Sequence, residues 1–198
     1  MRITAEAKVA TGRRILDAAA RLFTITGWEG TTTREIAAAA EIATGTLFNY
    51  FQSKEAIAAA LISDALAQAQ QEFESRPREE ASLEEDLFSF IWTGLKRLRG
   101  CRKFLLPAAE TIFSPLARAA PERAGDSIRA SHLEAVERII AGHGAADPLP
   151  TVTMQLYWTL YLGVFAYWAA DASPNQEETL ALLDRSLGLF IFSLRREK

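Results

Sequence analysis

The chain has 198 residues, of which 49% are hydrophobic and 24% charged, which supplies a packed core and excludes a disordered segment. A net charge of -3 excludes a protein that coats nucleic acid through bulk basicity, so any contact with nucleic acid has to be local. The single cysteine, Cys101, excludes an intrachain disulfide, and the polar stretch Met1 to Glu6 lacks the apolar run of a secretory signal; a cytoplasmic location is the expectation.

Helix punctuation runs through the whole chain, and no segment keeps the apolar/polar alternation of strands, so the sequence predicts an all-α fold of about nine helices without a fixed repeat. The first helix is predicted from about Thr11 to Thr26, where Ile15, Ala19, Leu22 and Phe23 recur at helical spacing, with Gly27 as its stop and Trp28 folded back upon it. Thr32 to Glu35 is a capping box that opens a short helix to Ala40. After the turn Glu41-Ile42-Ala43, a third helix is predicted from Thr44 to Phe51, and Ser53 caps a long fourth that ends by Pro77.

Ser82 to Glu85 is a second capping box, followed by a helix with Leu87, Phe88, Ile91, Leu95 and Leu98 on one face. A helix over Arg102 to Phe113, a proline-bearing loop from Ser114 to Gly125, a helix from Asp126 to about Gly142 and a connector to Pro150 complete the middle. The uncharged run Thr151 to Ala170 is just long enough to span a bilayer, but it holds Gln155 and three threonines and lacks a flanking Lys/Arg cluster, which favours a buried interface helix. Ser173 as N-cap, Pro174 at N1 and Gln176 at N3 are predicted to start the last helix.

The informative stretch is Thr31 to Lys54, TTTREIAAAAEIATGTLFNYFQSK: two short helices, a tight turn, then aromatics and a lysine. Ile36, Ala37, Ile42, Leu47 and Phe51 are spaced to bury against Ile15, Leu22 and Phe23, which turns Thr44, Gly45, Thr46, Phe48, Asn49 and Tyr50 outward. Plain packing explains Leu47 and Phe51, but not polar Thr44, Asn49 and Tyr50 beside Lys54. The spacing of Thr32, Arg34, Ile36, Ala37, Gly45, Thr46, Leu47, Tyr50, Phe51, Ser53, Lys54 and Glu55 resembles that of the TetR family of helix-turn-helix transcriptional regulators.

That resemblance implies a DNA-binding domain over residues 1–55 and a helical effector-binding and dimerisation domain over 56–198. It implies a ligand-responsive repressor that binds double-stranded operator DNA as a homodimer. Asn49 and Thr44 suit base edges, and Gly45 permits close approach. Thr33, Tyr50 and Lys54 suit phosphates, with Arg2, Lys8, Arg13 and Arg34 supplying charge that the reading helix lacks; residues 1–55 hold seven basic against six acidic residues. Two departures from the family pattern are expected to lower affinity: Glu41 stands at the usual turn glycine, and Phe48 at a frequent tyrosine.

Beyond residue 56 no motif appears. Phe88, Trp92, Phe104 and Phe113, with Met154, Tyr157, Trp158, Tyr161 and Phe165, are candidates to line a pocket for a small hydrophobic or aromatic effector, although aromatic residues at helical spacing also make plain core. Asp86, Glu110 and His132 are its candidate polar groups. Tyr167, Leu180, Leu183, Leu187, Phe190 and Ile191 are candidates for a dimer face, as the family pairs through its last two helices. His132 and His143 have no ligand-spaced partners, so neither a metal nor a cofactor is expected. The sequence offers no nucleophile elbow or phosphate loop to suggest an enzyme. The alternative is a helical module that binds a protein or membrane through its aromatic helix.

Overall fold

A computed structural model describes residues 4–76, 80–113, 125–144 and 149–196, and within them every regular element is helical. Arg2, the Pro77 stop, nearly all of the Ser114 loop and residues 145–148 of the next connector lie outside the described residues. Two compact units result: Met1–Asp64 with Gly100–Ile128, and Ala65–Arg99 with Arg129–Lys198.

In the first unit, α1 (Ala5–Ile25) begins six residues before the expected Thr11, because the Thr4 hydroxyl caps it by accepting from the Ala7 N–H at 3.2 Å. Its first two turns are exposed, so apolar periodicity is silent there; Ile15, Ala18, Ala19 and Phe23 are buried farther along. The helix stops at Gly27, whose φ of 78° is the left-handed conformation glycine adopts without strain. A single helical turn, Gly27–Gly30, follows and buries Trp28 with its ring 5.2 Å from that of Phe23. Thr31 holds this corner: its buried hydroxyl donates to the Gly27 carbonyl at 2.7 Å and pairs with the Thr26 hydroxyl at 2.9 Å.

The Thr32–Glu35 capping box forms as expected and starts α2 (Thr33–Ala39), which packs on α1. The next helix, α3 (Thr44–Phe48), is shorter than the expected Thr44 to Phe51. It is followed by α4 (Lys54–Glu74), which opens with Ser53 Oγ accepting from the Ala56 N–H at 3.2 Å. The first unit also takes in α6 (Arg102–Ile112), whose Phe104 ring lies 4.8 Å from that of Phe23.

The second unit is built from the latter part of α4, from α5 (Leu83–Arg97) with its Ser82–Glu85 capping box, and from most of α7 (Asp126–Gly142). It is completed by α8 (Thr151–Ala170) and α9 (Glu177–Arg196). The last helix packs on both α8 and α5 and buries Leu183, Leu187, Phe190 and Ile191 there. Among the described residues no helix is long and apolar enough to cross a membrane.

The α8–α9 junction departs from expectation. Pro174–Gln176 is a 3-10 turn in which Asn175 and Gln176 take φ of 52° and 60°, so Gln176 is not the third residue of the helix and α9 starts at Glu177. Ser173 is the N-cap of that turn with Pro174 at N1, as expected, and its hydroxyl accepts from the Glu178 N–H at 3.2 Å. Asp171 adds a capping carboxylate that accepts from the Ser173 N–H at 2.7 Å, the Thr179 N–H at 3.1 Å and the Thr179 hydroxyl. Those donors hold its carboxyl well below the usual carboxylate range.

Candidate functional site

The turn between α2 and α3 is a closed Schellman motif. The Ile42 N–H donates to the Ala37 carbonyl at 3.0 Å and the Glu41 N–H to the Ala38 carbonyl at 3.1 Å, with Glu41 as the left-handed residue at φ 55°. Glycine takes this conformation freely, whereas the Glu41 side chain makes it strained. Leu47 is fully buried and anchors α3, while Ile36 and Ala37 anchor α2. Ile42, Phe51 and Leu22, also expected in this core, are only half-buried.

With Leu47 facing inward, Gly45, Phe48 and Asn49 are exposed, and Thr44, Thr46 and Tyr50 are half-buried. A Cβ built at Gly45 meets open space, and no charged side chain stands anywhere on α3. Of the expected phosphate contacts, Thr33 is half-buried at the start of α2 and Arg34 is exposed beside it. Tyr50 turns partly inward: a Cβ added at Gly12 of α1 would lie 3.7 Å from its ring.

Lys54 has a role the sequence did not disclose. Its ammonium donates to the Trp28 carbonyl at 2.7 Å and sits 4.4 Å from the centre of the Trp28 ring, so it ties the start of α4 to the corner after α1. Arg13 likewise shares its charge with Asp64, at 3.4 Å. Lys8 is exposed on the first turn of α1.

The candidate pocket residues separate. Phe104 and Phe113 belong to the first unit, where Phe104 is core against Phe23. In the second unit Met154, Tyr157, Trp158, Tyr161 and Phe165 are buried, and Phe88 and Trp92 are half-buried. His132 of α7 lies among them, with ring centres 4.1 Å from Tyr161, 5.3 Å from Phe90 and 5.7 Å from Tyr157. It shares a 2.9 Å hydrogen bond with the Tyr157 hydroxyl. Burial holds the imidazole neutral, its pKa pushed down to about 3, and raises the hydroxyls of Tyr157 and Tyr161.

Beside this cluster is a small apolar cavity lined by Ile91, Tyr157, Tyr161, Val164, Leu187 and Phe190, among others, with room for about one water. Of the other candidate polar groups, Asp86 pairs with His143 at 2.8 Å and Glu110 is exposed. No cluster of three or more His, Cys, Asp or Glu among the described residues suits a metal ion.

The expected dimer face needs correction. Leu183, Leu187, Phe190 and Ile191 are spent inside the chain against α5 and α8, and Leu180 is half-buried. The apolar side chains that α9 turns outward are Leu189 and Phe192, and those of α8 are Val152, Leu156 and Tyr167. Hydrophobic spacing marked α9 as apolar; it has two apolar faces, and the broader one meets its own chain.

A two-helix reader closed by a tight turn and set on α1 defines the helix-turn-helix class. Residues 15–61 match the model of bacterial regulatory proteins of the tetR family. Over 53 residues the chain is 43% identical to the uncharacterised HTH-type transcriptional regulator YvkB of Bacillus subtilis, a match that covers 27% of this chain and spans 28% of that relative's length. Whole-chain similarity comes from solved structures. A TetR regulator of Nitrosomonas europaea matches with a TM-score of 0.68 at 24% identity, over 91% of this chain and 98% of that one. The TetR-family repressor FadR of Thermus thermophilus, solved with lauroyl-CoA, matches with a TM-score of 0.68 at 25% identity, over 91% and 93%. The segment over residues 15–61 is thus similar to the DNA-binding part of tetR-type regulators, and the chain shares the fold of these solved TetR regulators.

Proposed function

We propose that this chain is a transcriptional regulator that binds a pseudo-palindromic DNA operator as a homodimer and is released by a small hydrophobic effector. The observation that carries the reading is the exposed, uncharged face of α3 held out by the closed α2–α3 turn, the form in which a recognition helix enters the major groove. Asn49 and Thr44 read bases, and Gly45 lets the backbone approach. Thr33, Thr46 and Tyr50 fix register on phosphates. Arg34 and Lys8 carry the attraction to phosphate, because Arg13 is shared with Asp64 and Lys54 with Trp28.

For the effector, the His132–Tyr157 pair inside an aromatic shell supplies one polar anchor in an apolar site. A long acyl thioester is the class we favour, since the Thermus FadR was solved with lauroyl-CoA. For the dimer, Val152, Leu156, Tyr167, Leu189 and Phe192 are apolar side chains exposed on the last two helices, which suits pairing with a second copy. A soluble DNA-binding dimer of this kind works in the cytoplasm.

Selection from a random DNA library followed by fluorescence anisotropy tests the reading. A two-fold related site is expected, with affinity falling steeply as salt rises and lauroyl-CoA lowering occupancy. Failure to enrich any sequence, together with binding to lipid vesicles, would replace it with a membrane-binding module.

A further inference from the structure

Base pairs differ in what they ask of a reading helix. In the major groove guanine is matched by Arg or Lys at O6 and N7, adenine by Asn or Gln at N6 and N7, and thymine is set apart by its 5-methyl group, which takes an apolar contact. The α3 helix has no Arg, Lys, Asp or Glu to offer guanine or cytosine. Its last residue, Phe48, is a large apolar ring, 46% exposed although Leu47 beside it is fully buried, and the C-cap that follows, Asn49, is an amide.

Single exposed apolar residues are ordinary on folded surfaces. Phe48 differs in its position. It stands three residues after Gly45 on one helical face, where an added Cβ would meet open space, and directly before Asn49. The Gly45 backbone on the same face leaves room for a close approach beside the ring, and α3 itself carries no charge to hold water there.

We infer that Phe48 is a specificity-determining residue that packs on the 5-methyl group of a thymine, so that each half-site holds an A·T pair read jointly by Phe48 and Asn49. This rests on the DNA-binding reading. In place of the hydroxyl of the family's frequent tyrosine, the ring supplies apolar contact area to a methyl group that water solvates poorly.

Replacing thymine by deoxyuridine in the selected operator tests this, because the exchange removes the methyl and leaves every hydrogen-bonding edge intact. One deoxyuridine at the contacted position is expected to weaken binding by the full chain about fourfold, the worth of one buried methyl-sized group, and substitution in both half-sites about fifteenfold. In Phe48→Ala, whose melting temperature should match the parent's because the ring is exposed, thymine and deoxyuridine operators are expected to bind alike. Phe48→Leu should restore part of the difference.

Equal binding of thymine and deoxyuridine operators by the unaltered protein overturns the inference alone, and so does a methyl effect that persists in Phe48→Ala. If no sequence is selected at all, the DNA-binding reading falls with it.

Discussion

The two units keep their candidate chemistry in opposite places. In the first, the proposed readers Gly45, Phe48 and Asn49 are exposed, and Leu47, Ile36 and Phe23 hold them from beneath. In the second, His132, Tyr157 and Tyr161 are buried, so the groups proposed to meet an effector are also the core. Stability and recognition should therefore separate under mutation in the first unit and stay tied in the second. A reader on the surface diverges one residue at a time; a pocket made of core can change only with its packing.

The largest expected effect lies in the second unit. Tyr157→Ala empties a fully packed site and leaves His132 without its partner, and is expected to cost about 3–5 kcal/mol in chemical denaturation together with any effector response. Tyr157→Phe, which removes only the hydroxyl, should cost about 1–3 kcal/mol. A Tyr157→Ala protein of parental stability would break the comparison. The opposite pattern is expected of Asn49→Ala. It should lose about 1–3 kcal/mol of discrimination at one base pair, read by anisotropy on matched and mismatched operators, while its unfolding midpoint shifts by no more than about 0.5 kcal/mol.

The first unit was the more legible in the sequence because its signals are local. A capping box spans three residues, and both boxes, Thr32 with Glu35 and Ser82 with Glu85, form with the reciprocal bonds their spacing implies. Gly27 stops α1 where a left-handed residue is needed. Local signals fail where partners are distant. Nothing in the neighbourhood of Phe104 says that its ring meets Phe23, some eighty positions earlier, or that Lys54 spends its charge on Trp28. Ser173-Pro174 starts a helical turn as its form implies, but nothing local says that Asp171 also caps α9 through Thr179, eight residues on. In α9 the spacing of Leu183, Leu187 and Phe190 reports burial without reporting against what, and these side chains turned out to meet their own chain.

Buried His132 gives the second unit a pH signature. Its folded pKa lies near 3, far below the ordinary 6.5, so the native state holds it neutral while the unfolded chain takes up a proton below pH 6.5. The stabilising contribution is complete above pH 6.5 and is lost as pH falls toward 3, at up to about 1.4 kcal/mol per pH unit. Denaturation curves between pH 6.5 and 4.5 should therefore steepen by one proton relative to His132→Phe. Asp171, held below its ordinary 3.8 by Thr179 and Ser173, adds a further loss only in stronger acid, below pH 3.8, so the two groups act in different ranges. An unchanged slope in His132→Phe would mean that the imidazole is reached by water.

The smallest expected effect sharpens the comparison most, because it concerns the one strained residue in the reader. Glu41 holds a left-handed φ of 55° at the position where a Schellman turn favours glycine. Relief of strain in Glu41→Gly is partly offset by the greater freedom of glycine in the unfolded chain, for a net gain of about 0.5–1 kcal/mol in unfolding free energy. The exposed carboxylate is lost at the same time, so operator affinity should rise modestly at low salt and the gain should fade as salt is added. Glu41→Gln keeps the strain and removes the charge, so it should reproduce the affinity change without the stability change. If Glu41→Gly gained stability and Glu41→Gln left affinity untouched, the turn would be serving the fold alone, and recognition would rest entirely on α3.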